Sequence, residues 1–241
     1  MSDGFVKLLA TMTDPGDLSI SNAARVSYGR SSEKFTAKDY ERLEFMMLHK
    51  HGTPFEAPVF RFRVRCTIKE ARDWFRYRFS SYNEHSTRFA PKIDDVYIPG
   101  PGMVRKGAAK QGSRPVVLDS ETDGLTIAQV QRVFNRMHSQ TEENYRELLE
   151  LTQCQELASF AYNLAQMTEF QWVANARTVL NFLAQRMDGA ALLELQHKAY
   201  LVHELVKPEI PNTLSLWEKY RRPDMFTDWL EGDPELPEDL Q

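Results

Sequence analysis

The sequence predicts an α+β protein whose second half is mostly helical. Residues 5–13, FVKLLATMT, form a short apolar run typical of a strand. Residues 59–66, VFRFRVRC, alternate apolar side chains with arginine, which is the period of two of a half-buried strand. After residue 124, helical periodicity dominates. The 241 residues, 42% of them hydrophobic, can bury one large core, and we expect a single domain over residues 1–230.

Helices separate the strands in the first half of the chain. Residues 19–29, SISNAARVSYG, predict a helix that ends at Gly29. Thr36 is the expected N-cap of an amphipathic helix that stops at His51 and Gly52. Residues 68–78, IKEARDWFRYR, return to a helical period directly after the alternating strand.

The second half begins with a glycine-rich stretch. Residues 100–124 hold five of the 11 glycines and two prolines, which predicts a long loop. Two capping boxes, Thr126 with Gln129 and Thr168 with Gln171, predict helix starts. The last eleven residues, 231–241, carry five acids, two prolines and no base, which predicts a disordered acidic tail.

Composition excludes several classes of protein. No apolar run approaches the roughly 20 residues of a membrane span, and the N-terminus has an acid where a signal peptide is basic, so we expect a cytoplasmic protein without membrane contact. Cys66 and Cys154 form no CxxC motif near a histidine cluster, so neither a disulfide framework nor a metal site is expected. The net charge of −4 argues against nucleic acid as a partner. Residues 61–88, however, hold eight basic and three acidic residues, which indicates a local anion site.

Residues 76–88, RYRFSSYNEHSTR, combine arginines, tyrosines and hydroxyls, the groups that suit a planar anion. Arg76 and Arg78 lie two apart, so they can face one ligand only if the helix ends there. A solvated arginine face is the simpler alternative. Glu84 is a base, a hydrogen-bond acceptor or an arginine partner, and Ser86 is a weak candidate nucleophile because its neighbour His85 should point away from it.

A second polar constellation lies in residues 170–188, FQWVANARTVLNFLAQRMD. On a helix, Arg177, Asn181 and Asp188 fall near one face, with Arg186 to one side. Asn175 and Asn181 have low helix propensity. Their presence in an apolar helix favours a bound polar ligand, with a buried hydrogen bond between helices as the alternative.

Five motifs in order resemble one family. Arg76-Tyr77-Arg78, seven residues and then Ser86 repeat the Arg-His-Arg, seven residues, Ser motif of the flavin-dependent thymidylate synthases with one substitution. Further similar segments are AARVSY at 23–28, KHGTPFE at 50–56, SYNEHSTRF at 81–89 and WVANARTVLNFLAQR at 172–186. Together they span most of the chain.

This resemblance implies a fold, a reaction and partners. The fold has a central antiparallel sheet flanked by helices. The reaction is the reductive C5-methylation of a uridine 5′-monophosphate nucleotide, dUMP to dTMP or UMP to 5-methyl-UMP. FAD is the cofactor, and methylenetetrahydrofolate and NADPH are co-substrates. The family also implies a homotetramer with active sites where subunits meet.

The resemblance also assigns residues. It implies contacts with FAD from Thr53, Arg76, Tyr77, Arg78, Glu84, Asn175, Arg177 and Asn181. It implies contacts with the nucleotide from Arg76, Glu84, His85, Ser86, Thr87, Arg88, Ser159 and Arg186. We expect Arg186 to be catalytic, because a guanidinium against the pyrimidine edge stabilises negative charge on N3 and O2 and enriches C5 in electrons. Arg88 and Ser86 suit the 5′-phosphate.

Four differences separate this chain from the family pattern. The segment before Thr53 is about two residues shorter and lacks a second histidine, and Ala57 stands where the family commonly has a histidine. Tyr77 replaces a histidine, and Ser159 replaces an arginine expected near the nucleotide. A small hydroxyl opens volume and offers a hydrogen bond, which suggests that the pocket accepts UMP, as in the nucleoside-antibiotic branch that includes polyoxin formation. A flavin-binding paralogue without methylation activity is one alternative. An RNA-binding module built on residues 59–66 is another, although its arginines and aromatics should face opposite sides.

Overall fold

A computed structural model describes residues 4–12, 16–107 and 114–221, so the predicted tail at 231–241 lies outside the described residues. The strands are β1 (Phe5–Met12), β2 (Val59–Thr67), β3 (Ser80–Glu84), β4 (Arg105–Lys106), β5 (Val116–Val117) and β6 (Met167–Asn175). The helices are α1 (Gly16–Arg25), α2 (Ala37–Leu48), α3 (Ile68–Trp74), α4 (Gly124–Thr152), α5 (Gln155–Ala158), α6 (Ala176–Arg186), α7 (Leu193–Val206) and α8 (Pro211–Arg221). None of the helices in these ranges is both long and apolar enough to cross a membrane.

The centre of the fold is a four-stranded sheet in the order β1-β2-β6-β3, with every neighbouring pair antiparallel. This confirms the predicted α+β class with a central antiparallel sheet. The alternation in β2 buries Phe60 and Phe62 completely and turns Arg61 and Arg63 to the other face. Base-stacking by these phenylalanines is therefore impossible, which removes the physical basis of the RNA-binding alternative.

Strand β6 corrects the expectation of a helix start at Thr168. Phe170, Trp172 and Ala174 are buried and alternate with more exposed residues, and the segment bonds to β2 on one side and β3 on the other. A local Thr-x-x-Gln pattern is a weak signal, and pairing along both strand edges outweighs it. Thr126 is also not an N-cap, because α4 starts two residues earlier at Gly124.

Three helix boundaries and one strand in the first half differ from the sequence prediction. Helix α2 ends at Leu48, before the expected stop at His51 and Gly52. Helix α1 begins at Gly16, and Gly29 ends the following short 3-10 helix with a left-handed φ of 62°. Helix α3 ends at Trp74, four residues early, so Arg76 and Arg78 lie in the connection to β3. Strand β3 was not expected from its sequence, because only its pairing with β6 makes it a strand.

The described part of the glycine-rich stretch contains secondary structure. It includes a 3-10 helix at Pro101–Met103 and the β4-β5 hairpin. Arg105 anchors this hairpin by donating Nη1 and Nη2 to the carboxylate of Glu194 in α7, each at 2.8 Å. This half-buried bidentate pair stabilises the β4-β5 hairpin, in a segment whose glycine content predicts only a loop.

Aromatic packing fixes α6 on the sheet. The ring of Phe182 is fully buried, 4.4 Å from Trp74 and 5.2 Å from Trp172 between ring centroids. It also meets Tyr77 edge-on at 5.1 Å. One side chain of α6 therefore packs against α3, β6 and the connection that carries the two arginines.

We predict that Phe182→Ala lowers the free energy of unfolding by about 3–5 kcal/mol, because it removes a buried ring and leaves a cavity. Urea denaturation at one fixed protein concentration measures the change. Phe160→Ala is the control, since that ring is 82% exposed, and should change stability by less than about 0.5 kcal/mol. Equal losses in the two variants would contradict the packing role of Phe182.

Candidate functional site

A cavity of about 620 Å³ opens between the α3-β3 connection and one face of α6 along its whole length. Its lining residues are Glu56, Arg76, Tyr77, Arg78, Phe79, Asn175, Arg177, Thr178, Asn181, Gln185 and Arg186. The structure therefore brings together seven of the predicted site residues from both polar constellations: Arg76, Tyr77, Arg78, Asn175, Arg177, Asn181 and Arg186.

The cavity is strongly cationic. Four arginines face it against one carboxylate, Glu56, which accepts from Arg177 Nη1 at 2.7 Å. Arg76 and Arg78 have no ion-pair partner within the described part of the chain. The N-terminus of α6 also opens on this cavity and adds partial positive charge. Two of its first N–H groups are already paired, that of Ala176 with the Pro58 carbonyl and that of Thr178 with Asn175 Oδ1. The arrangement suits a ligand that carries negative charge and several acceptor oxygens.

Arg186 lies at the inner wall. Its Nη2 donates to the carbonyl oxygen of Asp73 at 3.2 Å, and its Cζ lies 5.4 Å from the centre of the Tyr77 ring. Its Nε is buried and has no hydrogen-bond partner among the described residues. A buried donor without an acceptor is rare in folded proteins, and a ligand oxygen would satisfy it.

Tyr77 is mostly part of the wall, with only 6% of its surface exposed. Its hydroxyl donates to Gln185 Oε1 at 3.1 Å, and Gln185 Nε2 donates to Asn181 Oδ1 at 3.1 Å. Burial raises the pKa of the Tyr77 hydroxyl above its usual value near 10 and outweighs the opposing charge of Arg186. The phenol is therefore protonated at neutral pH.

The structure explains why asparagine, a residue of low helix propensity, stands at position 175. It is the N-cap of α6, and its Oδ1 accepts from the backbone N–H of Thr178 at 2.9 Å. The expectation that Asn175 lies inside a helix was therefore wrong, although its amide does line the cavity. Asn181 is inside the helix, as expected.

A second cavity of about 310 Å³ adjoins the first and shares Arg177 and Asn181 with it. Gly52, just before Thr53, lines this cavity, and a Cβ at that position would lie 2.9 Å from Arg177 Nε. The glycine lets the arginine lie across the backbone. Thr53 follows it directly in the chain but lines neither cavity.

The remaining predicted residues form a separate cluster at the far end of β3. Glu84 and His85 line a groove of about 330 Å³, and Glu84 Oε1 accepts from Thr168 Oγ1 at 2.7 Å. Ser86, Thr87 and Arg88 follow directly. Because β3 has five residues, each advancing about 3.3 Å, roughly 16 Å separates this cluster from the arginine cavity of the same chain.

Ser86 and Arg88 are placed for an anion. Ser86 Oγ accepts from the backbone N–H groups of Arg88 and Phe89, both at 3.3 Å, so the hydroxyl proton is left for a ligand. Arg88 Nε pairs with Glu156 at 3.1 Å, next to the short helix that carries Ser159. The Ser159 hydroxyl donates to the carbonyl of Glu156 at 2.7 Å, which leaves its lone pairs to accept from a ligand.

Sequence reasoning missed Glu56 and Gln185 and misplaced Asp188. Glu56 stands within the KHGTPFE segment, and Gln185 lies four residues after Asn181 on the same helical face, a spacing that could have identified it. Asp188 is not on that face because α6 ends at Arg186, and its carboxylate accepts from the backbone of Ala190. Within the described ranges no group of three or more His, Cys, Asp or Glu side chains could hold a metal.

Comparisons with known proteins show the family to which the chain belongs. Residues 7–212 match the model of the family described as Thy1, thymidylate synthase complementing protein. The flavin-dependent thymidylate synthase of Thermosipho africanus is 34% identical over 223 residues, covering 91% of this chain and 93% of that protein. The enzyme of the same name from Thermus thermophilus is 32% identical over 220 residues, covering 91% and 77%.

Two solved structures share the fold. The UMP/dUMP methylase PolB from Streptomyces cacaoi bound with 5-Br dUMP superposes with a TM-score of 0.82 at 25% identity, over 92% of this chain and 97% of that one. Its complex with 5-Br UMP gives a TM-score of 0.81 at 24% identity, over 92% and 96%. The expected flavin-dependent thymidylate synthase-like fold is confirmed, and the chain belongs to the flavin-dependent thymidylate synthase (Thy1) family as a divergent member.

Proposed function

We propose that the protein catalyses the FAD-dependent reductive C5-methylation of a uridine 5′-monophosphate nucleotide with methylenetetrahydrofolate and NADPH. The observation that carries the proposal is the cationic cavity, in which Arg186 has a buried, unpartnered Nε beside the Arg-Tyr-Arg segment. The family supports the reaction class. PolB, which shares the fold, binds bromo analogues of both UMP and dUMP.

The cavity fits a flavin dinucleotide. Unpaired arginines and the N-terminus of α6 suit phosphate oxygens, and amide donors suit the carbonyl oxygens of the ring system. The residues that would hold FAD are Thr53, Arg76, Tyr77, Arg78, Asn175, Arg177 and Asn181 from one chain, with Glu84 from the other cluster. When bound, the flavin supplies the hydride chemistry, which the protein orients.

Arg186 would activate the pyrimidine. C5 of neutral uracil is a poor nucleophile, and positive charge fixed at the edge of the ring stabilises the electron-rich form with negative charge on N3 and O2. The carbonyl of Asp73 and the face of Tyr77 hold this guanidinium in place, so little reorganisation is needed when the charge develops. No protein nucleophile is required.

Ser159 favours a ribonucleotide. Because its proton is donated to the Glu156 carbonyl, Ser159 Oγ offers its lone pairs to a hydroxyl of the ligand. UMP has a 2′-hydroxyl that could donate and dUMP does not. We therefore infer that UMP is accepted at least as well as dUMP, consistent with a role in a nucleoside-antibiotic pathway.

The separation of the two clusters supports active sites shared between subunits, and the family implies that the oligomer is a homotetramer. A nucleotide held by Arg186 and by the residues around Ser86 of the same chain would have to span roughly 16 Å. A second subunit that presents its β3 end to the cavity completes the site. Exposed apolar side chains at both ends, Phe79 at 90% and Phe89 at 77%, would be covered by that contact.

We predict that the purified protein carries flavin absorbance, loses it under NADPH without air, and converts UMP to 5-methyl-UMP when methylenetetrahydrofolate is added. Mass analysis of the product measures the conversion. Arg186→Lys should keep the flavin and lower turnover by about a hundredfold, because a lysine cannot reproduce the planar fork. A colourless protein contradicts the proposal, and a yellow protein without product supports the paralogue that has lost methylation.

We predict that Ser159→Arg lowers turnover of UMP more than turnover of dUMP, because the larger cation fills the volume and removes the acceptor. Competition between the two nucleotides in one reaction gives the ratio directly. Ser120→Arg is the control, because residue 120 is exposed and lies in the turn before α4, away from the Arg88–Glu156 pair and from the short helix that carries Ser159. An unchanged ratio in Ser159→Arg would show that this position does not select the sugar.

We predict that Arg186→Ala and Arg88→Ala are each inactive and that co-expression restores activity. If each site takes the two arginines from different subunits, random mixing leaves about a quarter of the sites intact. Activity of the mixed oligomer, purified through a different tag on each subunit, measures the recovery. Lack of recovery in a mixed oligomer that retains flavin would place both arginines of a site in one chain.

A further inference from the structure

A chain of three side chains connects the buried Tyr77 to the boundary between the two large cavities. The Tyr77 hydroxyl donates to Gln185 Oε1, and Gln185 Nε2 donates to Asn181 Oδ1, both at 3.1 Å. Gln185 and Asn181 are four residues apart on α6, so they lie on the same face. Asn181 lines both cavities.

The surroundings of Tyr77 set the direction of these hydrogen bonds. The Tyr77 hydroxyl donates its proton to Gln185 Oε1. Arg186, whose guanidinium lies over the Tyr77 ring, has only N–H donors and cannot accept that proton instead. Asp73, Arg76 and Tyr82 are the other titratable groups near this phenol, and burial keeps it protonated among them. Gln185 must then present its oxygen to Tyr77 and its nitrogen to Asn181.

This direction determines what Asn181 offers a ligand. With Oδ1 facing Gln185, the Nδ2 group is left toward the cavities, and it has no hydrogen-bond partner among the described residues. Arg177, which also lines both cavities, has only donors. The boundary between the cavities therefore presents donors from two side chains, which select an acceptor oxygen such as a carbonyl or phosphate.

We propose that Tyr77 is a positioning residue that, through Gln185, fixes the Asn181 amide with its nitrogen toward the ligand. Its ring also supports Arg186, so one side chain orients two groups of the cavity. The ligand consequence rests on the proposed function, in which an acceptor oxygen of the flavin dinucleotide meets Asn181. An almost fully buried side chain would thus affect binding through its neighbours, in addition to any contact of its own with the flavin.

The test separates the hydroxyl of Tyr77 from its ring. Tyr77→Phe keeps the ring under Arg186 and removes the donor. Without that donor, the side-chain amides of Gln185 and Asn181 can flip and exchange their oxygen and nitrogen positions. We therefore expect flavin affinity to fall about fivefold, which corresponds to the loss of one hydrogen bond of about 1 kcal/mol. Titration of the flavin-free full-length protein with FAD, followed by fluorescence, gives the dissociation constants. Tyr40→Phe, a half-buried tyrosine that lines neither cavity, is the matched control and should bind FAD like the parent.

A double-mutant cycle with Asn181→Ala distinguishes positioning from a general loss of stability. If Tyr77 acts through Asn181, Tyr77→Phe should change FAD affinity by less than about twofold in the Asn181→Ala background. A fivefold loss in both backgrounds, or none in either, overturns the proposal while leaving the proposed function intact. If the parent protein binds no FAD, the proposed function fails instead.

Crystal structures of the parent and Tyr77→Phe without added flavin test the positioning itself. In the parent, the Tyr77 hydroxyl should lie within hydrogen-bond distance of Gln185, and Gln185 within hydrogen-bond distance of Asn181. In the variant, Gln185 should leave this position or refine in two conformers. An unchanged Gln185 and Asn181 in the variant would overturn the proposal whatever the flavin result.

Discussion

The contact on which the site depends is the burial of Phe182 among Trp74, Trp172 and Tyr77. It joins α6 to the sheet and to the connection after α3. Helix α6 and this connection are the two segments that supply the arginines of the cavity. Aromatic rings of this size bury large areas in fixed relative geometry, so they place the attached backbones with little freedom. A cationic cavity needs such support, because four like charges on mobile segments would move apart.

Electrostatics and packing act together in this cavity. Of the four cavity arginines, only Arg177 is paired with a carboxylate in the described part of the chain, whereas Arg186 is held by a carbonyl oxygen and by an aromatic face, neither of which cancels its charge. The fold therefore keeps positive charge available for a ligand. On the sheet the charges are balanced instead, since Arg63 and Arg65 of β2 both pair with Glu169 and Arg65 also pairs with Asp95.

The parts of the fold that could be predicted are those encoded by local periodicity. The alternation in β2 and the N-cap at Thr36 were read correctly. Strand β3 and the strand character of 167–175 were missed, because each depends on partners distant in sequence. Spaced motifs identified the arginines of the cavity. They could not show that Tyr77 is buried, that Gln185 connects it to Asn181, or that Ser86 lies at the opposite end of a strand, because these are properties of packing.

The ion pair between Arg88 and Glu156 affects how the affinity for the proposed nucleotide would depend on ionic strength. Both groups are more than half exposed, so their attraction is worth at most about 1 kcal/mol. An incoming phosphate would replace the Glu156 carboxylate beside Arg88. Dissolved ions weaken the attraction of Arg88 to the carboxylate and its attraction to the phosphate alike. Affinity at this end of the strand should therefore vary less with ionic strength than it would beside a bare guanidinium, and the departing carboxylate would free the short helix that carries Ser159 to adjust to the sugar.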